Sequence, residues 1–273
     1  MSQLHDILTR EWKLVKLTMS YLSAHIAKLS LSVVTIYFAG TLSRAHLDGV
    51  GLTTTLYNLL VLSVSQGYAH LFETYGPQVH GHLQSGELTS VLIKSLLQGV
   101  MVHLVTLVPY LNLVYIIDML PQSGLYPTLG TDEIVPEAQL SDFRDIAVKY
   151  LRFTVLFGLL EYAVFMTSTY FAIQGRTSTV HAVSLVMAVA HFLANYMFVS
   201  VLDLGVEGLG IAGFIGRLFG LATSLFIFFL NVKSGQFRWN GFSKKLLLGW
   251  KPMMKLGLCG AAFCFMDVSN FNV

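Results

Sequence analysis

Six long apolar segments follow one another along the chain, separated by polar turns and loops. Each is near or above the ~20 residues that an α-helix needs to cross the hydrocarbon core of a bilayer. The segments cover residues 17–42, 49–72, 91–117, 146–171, 177–201 and 208–231. This pattern predicts an all-α polytopic membrane protein whose first six helices form one transmembrane bundle over residues 17–231.

The last two apolar segments predict a helical hairpin in lipid. A turn that carries Asp203 and Glu207 separates them. Gly213, Gly216 and Gly220 follow at intervals of three and four residues, which puts them on one side of the second arm. Small side chains let a neighbouring helix approach closely, so we interpret this side as a packing surface, with direct substrate contact as the alternative.

The polar stretches divide the remainder of the chain. Residues 1–16 are interpreted as a cytosolic segment, while 73–88 and 118–145 read as loops because they combine proline, glycine and charges. Residues 232–252 form a basic linker with tryptophans suited to a membrane interface. Residues 253–273 are predicted to begin a seventh helix that the sequence leaves unfinished, so we expect an incomplete chain.

Composition supports the same class. The 273 residues are 54% hydrophobic and 12% charged, with a mean hydropathy of +0.64, so the apolar content exceeds what one soluble core can bury. Cys259 and Cys264 have no histidine or cysteine partner at ligand spacing, which favours neither a disulfide framework nor a metal site. No sequence motif of an enzyme active site is present, and neither a cofactor nor a nucleic acid is implied.

The basic residues predict the orientation. Lysine and arginine collect in the cytosolic loops of membrane proteins. With six spans, one side of the membrane receives Lys13, Lys16, Arg176, Lys233, Lys244 and Lys245, whereas Arg44 is the main exception. The amino terminus and the linker are therefore predicted to be cytosolic, in a multi-pass protein that we expect in the plasma membrane.

Five stretches of the chain resemble one known family. They are 40-GTLSRAHLDGVGLT-53, the pattern Glu73-Thr74 with Gln78, the pair Gln174-Gly175, 193-LANYMFVSVLDLGVEGLG-210 and 249-GWKPMMKLGL-258. Their order and spacing, which cover nearly the whole chain, resemble the multidrug and toxic compound extrusion (MATE) transporters. The resemblance is strongest to the eukaryotic branch that exchanges organic cations for protons.

The resemblance implies a fold of two six-helix lobes that rock against each other around a central cavity. This chain would hold the amino-terminal lobe, the linker and the start of the second lobe. Its function would be secondary active export of organic cations or other amphipathic xenobiotics by proton antiport. Two alternatives remain open: a half-transporter that acts as a homodimer, and a degenerate paralogue that does not transport.

The resemblance also implies site residues in the seventh helix. Eukaryotic members place two glutamates there, five residues apart, as proton and cation ligands. The matching positions here are Asp267, a shorter acid, and Asn272, which cannot titrate. Asn58, inside the second span, is a further candidate for substrate or proton binding, with a hydrogen bond between helices as its alternative role.

Counted at about 1.5 Å per residue from each helix start, Lys28, Glu161 and Asp267 are predicted near mid-membrane, and Arg217 somewhat nearer the outer face. A charge in the hydrocarbon region costs a few kcal/mol or more, so such residues normally pair or function. They could form one coupled site, or two structural ion pairs, Glu161 with Arg217 and Lys28 with Asp267. We favour structural pairing for Glu161 and Arg217 and a functional role for Asp267.

The predicted orientation can be tested with single cysteine substitutions. Lys13→Cys and Lys244→Cys should resist a membrane-impermeant thiol reagent in intact cells, because both positions are expected in the cytosol. Asp132→Cys, in the predicted external loop, should react. The opposite labelling pattern would overturn the orientation, and permeabilised cells provide the control for accessibility.

Overall fold

A computed structural model of the chain describes residues 2–81, 85–119, 137–237, 246 and 249–271. The described chain folds into eight α-helices and two π-helical segments. The helices are α1 (Ser2–Leu42), α2 (Arg44–Tyr57), α3 (Ser63–Gly81), α4 (Ser85–Met119), α5 (Glu137–Ile173), α6 (Thr177–Asn195), α7 (Gly205–Lys233) and α8 (Trp250–Phe271). The π-helical segments, Asn58–Leu62 and Tyr196–Val201, follow α2 and α6.

Six segments of the described chain are long and apolar enough to cross a membrane. They are Leu22–Leu42, Arg44–Gly81, Glu87–Leu113, Arg144–Ile173, Thr177–Val201 and Gly205–Lys233. The prediction of an all-α polytopic membrane protein with six spans is therefore confirmed. The helix α8, which forms where the sequence predicted the start of a seventh helix, is not among these six.

Three boundaries differ from the prediction. Residues 73–81, predicted as a loop, continue α3 through Pro77. Residues 137–145, predicted as part of an acidic loop, form the first turns of α5. Residues 2–16 and the first span belong to one helix, since α1 runs from Ser2 to Leu42 without a break.

Packing explains why α3 survives its proline. Pro77 lacks the N–H that would bond to the carbonyl of Glu73, a loss that normally favours a helix end. Gly76 is nevertheless buried, and an added Cβ there would lie 2.6 Å from the Ile173 side chain and 3.5 Å from that of Leu88. The contacts with α4 and α5 hold this last part of α3 in helical form.

The helix α5 lies at the centre of the bundle and packs against α2, α3, α4 and α7, while α6 packs against α1 and α7. Two large apolar clusters meet α5 at different heights. One contains Tyr150 and Phe157 with residues of α2 and α7, and the other contains Tyr162 and Met166 with residues of α3 and α4. Glu161 lies on α5 between these clusters.

The predicted hairpin is present, with its turn at residues 202–204. Asp203 and Gly205 adopt positive φ angles of 50° and 56°, and the Leu204 N–H donates to the Phe198 carbonyl at 3.0 Å. Such angles suit glycine and, less often, aspartate or asparagine. The polar residues of this turn thus reverse the chain between α6 and α7, although Glu207 belongs to the first turn of α7.

The helix α8 packs on α3 through small residues. An added Cβ at Gly67 would overlap the backbone of Ala261, and one at Gly260 would lie 2.5 Å from the Gly67 carbonyl oxygen. One turn away along α8, Gly257 faces the Tyr68 ring. The two backbones approach so closely that no side chain fits at Gly67.

A Gly67→Val substitution should therefore displace α8 from α3. Cys264 lies buried on α8, whereas Cys259 is exposed. In a Cys259→Ser background, we expect Gly67→Val to speed maleimide labelling of Cys264 by about tenfold, the effect of a local opening made easier by ~1.4 kcal/mol. Gly40→Val is the control, since a Cβ at Gly40 meets no atom within 4 Å. Unchanged labelling would contradict the contact.

Candidate functional site

A cavity of about 500 Å³ lies within the bundle, bounded by α1, α2, the first π-helical segment, α3, α5 and α7. Its volume falls in the range of small-molecule sites. Apolar and aromatic side chains form much of the wall, and hydroxyl, amide and charged groups interrupt them. The polar lining residues are His25, Lys28, Ser32, Thr35, Thr54, Thr55, Tyr57, Asn58, Ser65, Gln66, Tyr150, Thr154, Glu161, Tyr162 and Arg217.

An ion pair between α5 and α7 forms one wall of this cavity. The Nε and Nη2 atoms of Arg217 both lie 3.0 Å from Oε2 of Glu161. The Tyr57 hydroxyl donates to the same carboxylate oxygen at 3.1 Å, and Nη1 of Arg217 donates to the Gly213 carbonyl at 3.1 Å. The guanidinium carbon lies 4.5 Å from the centroid of the Phe157 ring.

This arrangement satisfies a charge pair deep within two membrane spans. The Arg217 side chain is 13% exposed and the Glu161 side chain 34% exposed, and both line the cavity. Three donors converge on one carboxylate oxygen, which offsets part of the cost of removing the charges from water. These are the two residues that the sequence analysis paired, and the structure brings them into contact across two helices.

Asn58 begins the π-helical segment that links α2 to α3, and its half-buried side chain lines the same cavity. The wider turn lets the Ser63 N–H reach the Asn58 carbonyl five residues earlier. The Asn58 side chain forms no hydrogen bond to the described part of the chain. Its amide is thus positioned toward the cavity, and the alternative role as a link between helices is not used here.

Lys28 also lines the cavity, from α1. Its Nζ lies 4.8 Å from the centroid of the Phe165 ring. The alternative that paired Lys28 with Asp267 is not realised, because the described residues contain no ion pair between them. Asp267 is exposed on α8 and does not line the cavity, and Asn272 lies outside the described residues. The role predicted for Asp267 in proton or substrate binding stays a prediction.

The remaining motif residues do not line the cavity. Glu73 accepts a 2.8 Å contact from Nδ1 of His70, and the Thr74 hydroxyl donates to the His70 carbonyl. Gln78 is exposed. Gln174 donates to the Tyr170 carbonyl, and Gly175 ends α5 with a φ of 74°. In this structure Glu73, Thr74 and Gln78 belong to α3, whereas Gln174 and Gly175 form the turn after α5.

Sequence analysis missed several lining residues that a helical pattern could have identified. The cavity-lining polar residues of α1 are His25, Lys28, Ser32 and Thr35, spaced three and four apart, and of these the sequence analysis considered Lys28. Thr54 and Asn58 continue the pattern on the second span. Tyr57 gave no such signal, since its hydroxyl reaches Glu161 only because α2 and α5 are neighbours.

Buried histidine contacts hold the helices behind the cavity. Nε2 of His191 lies 3.0 Å from the Thr35 hydroxyl, and its Nδ1 lies 3.2 Å from the Ala212 carbonyl oxygen. The side chain of Asn195, one turn along α6, contacts the same ring. His191 thus connects α6 to α1 and α7 and has a packing role.

Comparison with known proteins identifies relatives that match most of this chain. No family model matches the chain. Multidrug and toxin extrusion protein 1 of Oryctolagus cuniculus is 26% identical over 238 residues, which cover 86% of this chain and 38% of the relative. The Homo sapiens protein of that name is 26% identical over 247 residues, covering 89% and 40%. Protein DETOXIFICATION 53 of Arabidopsis thaliana is 23% identical over 244 residues, covering 89% and 46%.

Solved structures share the fold. The eukaryotic MATE transporter AtDTX14 superposes with a TM-score of 0.78 at 17% identity, over 97% of this chain and 55% of that one. A transporter of the MOP superfamily from Pyrococcus furiosus gives a TM-score of 0.67 at 16% identity, over 95% and 54%. The chain thus spans less than half the length of these curated relatives and about half of the solved transporters.

The ion pair can be tested by comparing single and double variants. Glu161→Gln and Arg217→Met should each leave one buried charge uncompensated, at a cost of about 3–5 kcal/mol. Each should lower the yield of monodisperse protein and its melting temperature in detergent, and the double variant should recover part of both. Arg152→Met provides the control, because Arg152 is exposed on the same helix as Glu161. Additive losses in the double variant would argue against an energetic partnership.

Proposed function

We propose that this chain, a MATE-like amino-terminal lobe in sequence and fold, works as one lobe of a secondary active multidrug exporter. Its cargo would be amphipathic xenobiotics, organic cations among them, exchanged for protons. The observation that carries this proposal is the cavity of about 500 Å³ between helices of a six-span bundle. Its mixed lining of aromatic and polar groups suits molecules that combine an apolar body with a polar group.

The position of the cavity supports a transport role over a purely structural one. It lies between helices of the membrane bundle, where polar and ionisable groups are costly and mark substrate or ion pathways. Glu161, Arg217, Lys28 and Asn58 all line it. In a degenerate paralogue, the polar lining would lose its purpose, and apolar side chains would fill the space at lower cost.

Alternating access requires a second wall. Transporters of this fold are built from structural repeats that move against each other around a central site. We propose that the opposite wall comes from a second lobe, and that the protein works in the plasma membrane with a cytosolic amino terminus. The alternative is a homodimer in which a second copy supplies the wall.

Proton coupling requires an acid that binds the cation when ionised and releases it when protonated. We propose Asp267 for this role, because the MATE resemblance places a carboxylate at its position. Asn58 and Asn272 would serve as hydrogen-bonding groups for the substrate. Glu161 is less suited, since Arg217 and Tyr57 already occupy one of its carboxylate oxygens.

The proposal can be tested by transport in proteoliposomes. The 273-residue chain should show no uptake of a fluorescent organic cation under a pH gradient. A fusion that adds a second MATE lobe after Val273 should restore uptake, and Asp267→Asn should reduce uptake by the fusion at least about tenfold if it removes the coupling acid. Asp203→Asn is the control, since Asp203 is exposed in the turn before α7.

Two results would redirect the proposal. Robust uptake by the unextended chain, lost on Asp267→Asn, would favour the homodimeric half-transporter. A correctly folded fusion that transports nothing would support the non-transporting alternative.

A further inference from the structure

The charges that line the cavity do not balance. Lys28 and Arg217 contribute two cations, and Glu161 contributes one carboxylate. Arg217 and Glu161 neutralise each other at 3.0 Å. The cavity therefore keeps one positive charge, on Lys28, with the histidines taken as neutral.

No carboxylate of the described chain lies within ion-pair distance of Lys28. The acids whose charges act on it most are Glu161 and Glu73. Glu161 is held by Arg217 and Tyr57, and Glu73 contacts His70 at 2.8 Å. The ammonium nitrogen lies over the face of the Phe165 ring, 4.8 Å from the ring centroid. A cation–π contact stabilises an ammonium group without neutralising it.

A second, smaller cavity lies next to Lys28 on the side of α5. Its volume is about 10 Å³, close to the space that one water molecule requires. It is lined by His25, Ser168 and Thr169 as well as Lys28. The Ser168 hydroxyl is buried, with 3% of the residue exposed, and has no hydrogen-bond partner in the described chain. Lys28 thus lies between this small polar cavity and the large cavity.

We propose that Lys28 forms an anion-binding subsite of the large cavity, which accepts the carboxylate or sulfonate group of an amphipathic organic acid. A bound anion would supply the negative counter-charge that Lys28 does not find in the cavity lining. This compensation matters because an uncompensated charge is costly in these surroundings. Ser32 lies one helical turn from Lys28 and also lines the cavity, as do the amides of Asn58 and Gln66. These groups supply further donors for an acid.

Apolar side chains of the cavity can contact the apolar part of such a ligand. Leu29, Ile36, Leu62 and Phe165 line the same cavity. Leu62 and Asn58 lie about one turn apart at the two ends of the first π-helical segment, so this segment presents one apolar and one polar side chain to the cavity. A flat or aliphatic body can pack there while its acidic group reaches Lys28. The inference rests on the proposed transport function. It assigns to this cavity a ligand with an acidic group, whereas the MATE resemblance alone implies a cationic ligand.

The experiment compares three ligands that share one naphthalene ring system: naphthoate, naphthylmethanol and naphthylmethylammonium. Binding to the purified 273-residue protein in detergent is measured by calorimetric titration. We expect naphthoate to bind most tightly and naphthylmethylammonium most weakly. Lys28→Met should weaken naphthoate binding by about tenfold, as expected for loss of one charge-assisted contact. Binding of the alcohol should not change.

Two further variants separate charge from structure. Lys28→Arg keeps the positive charge and should retain the preference for naphthoate. Lys149→Met removes a lysine that is exposed on α5 and does not line the cavity, so it should change none of the affinities. If Lys28→Met fails to give monodisperse protein, the order of the three binding affinities, measured on the natural protein and on Lys28→Arg, still tests the anion-binding subsite.

The possible failures are distinct. Equal loss of the acid and the alcohol in Lys28→Met would show that Lys28 only shapes the cavity, which overturns the subsite and leaves the proposed function intact. Tightest binding of the ammonium ligand to the natural protein would overturn it as well. If none of the three ligands binds to the natural protein, the cavity is not a ligand site, and the proposed function fails with the inference.

Discussion

The ion pair between Glu161 and Arg217 is the interaction on which the arrangement of the cavity depends. It joins α5 to α7 within two membrane spans, where neither charge could remain alone at acceptable cost. Tyr57 extends the contact to α2 by donating to the same oxygen. Three helices are thereby fixed around one carboxylate, between an apolar cluster on each side along α5. Because this pair is internally neutral, the charge of the cavity is set by Lys28.

The pair in turn requires a close approach of α5 and α7. Gly213 lies one turn before Arg217, and Phe157 lies one turn before Glu161. An added Cβ at Gly213 would lie 2.5 Å from the Phe157 ring, and the Arg217 guanidinium lies over the same ring. A larger residue at 213 would therefore separate the helices at the level of the ion pair. On the neighbouring face, Gly216 and Gly220 contact His191 and Met187 of α6, so α7 approaches both helices through glycines.

Hydropathy alone predicted the six spans, because a bilayer imposes a minimum length and an apolar composition on every helix that crosses it. The ends were harder to predict, since Pro77 remains helical through contacts of Gly76 that local sequence does not reveal. Glu161 and Arg217 could be paired in advance because two opposite charges in lipid need each other. Whether Lys28 meets Asp267 could not be predicted, since that contact depends on where α8 packs. That position is set by the backbone contact between Gly67 and Ala261, which no periodicity encodes.

The position of α8 separates Asp267 from Glu161. Glu161 lines the cavity and is held in an ion pair, whereas Asp267 lies on an exposed face of α8 outside it. The two regions meet on α3, where Ser65 and Gln66 line the cavity and the next two residues, Gly67 and Tyr68, contact α8. Protonation of Asp267 could influence the cavity through the contact of α8 with α3 and the first π-helical segment, since Asp267 does not itself line the cavity. Such coupling needs two discrete arrangements of that contact.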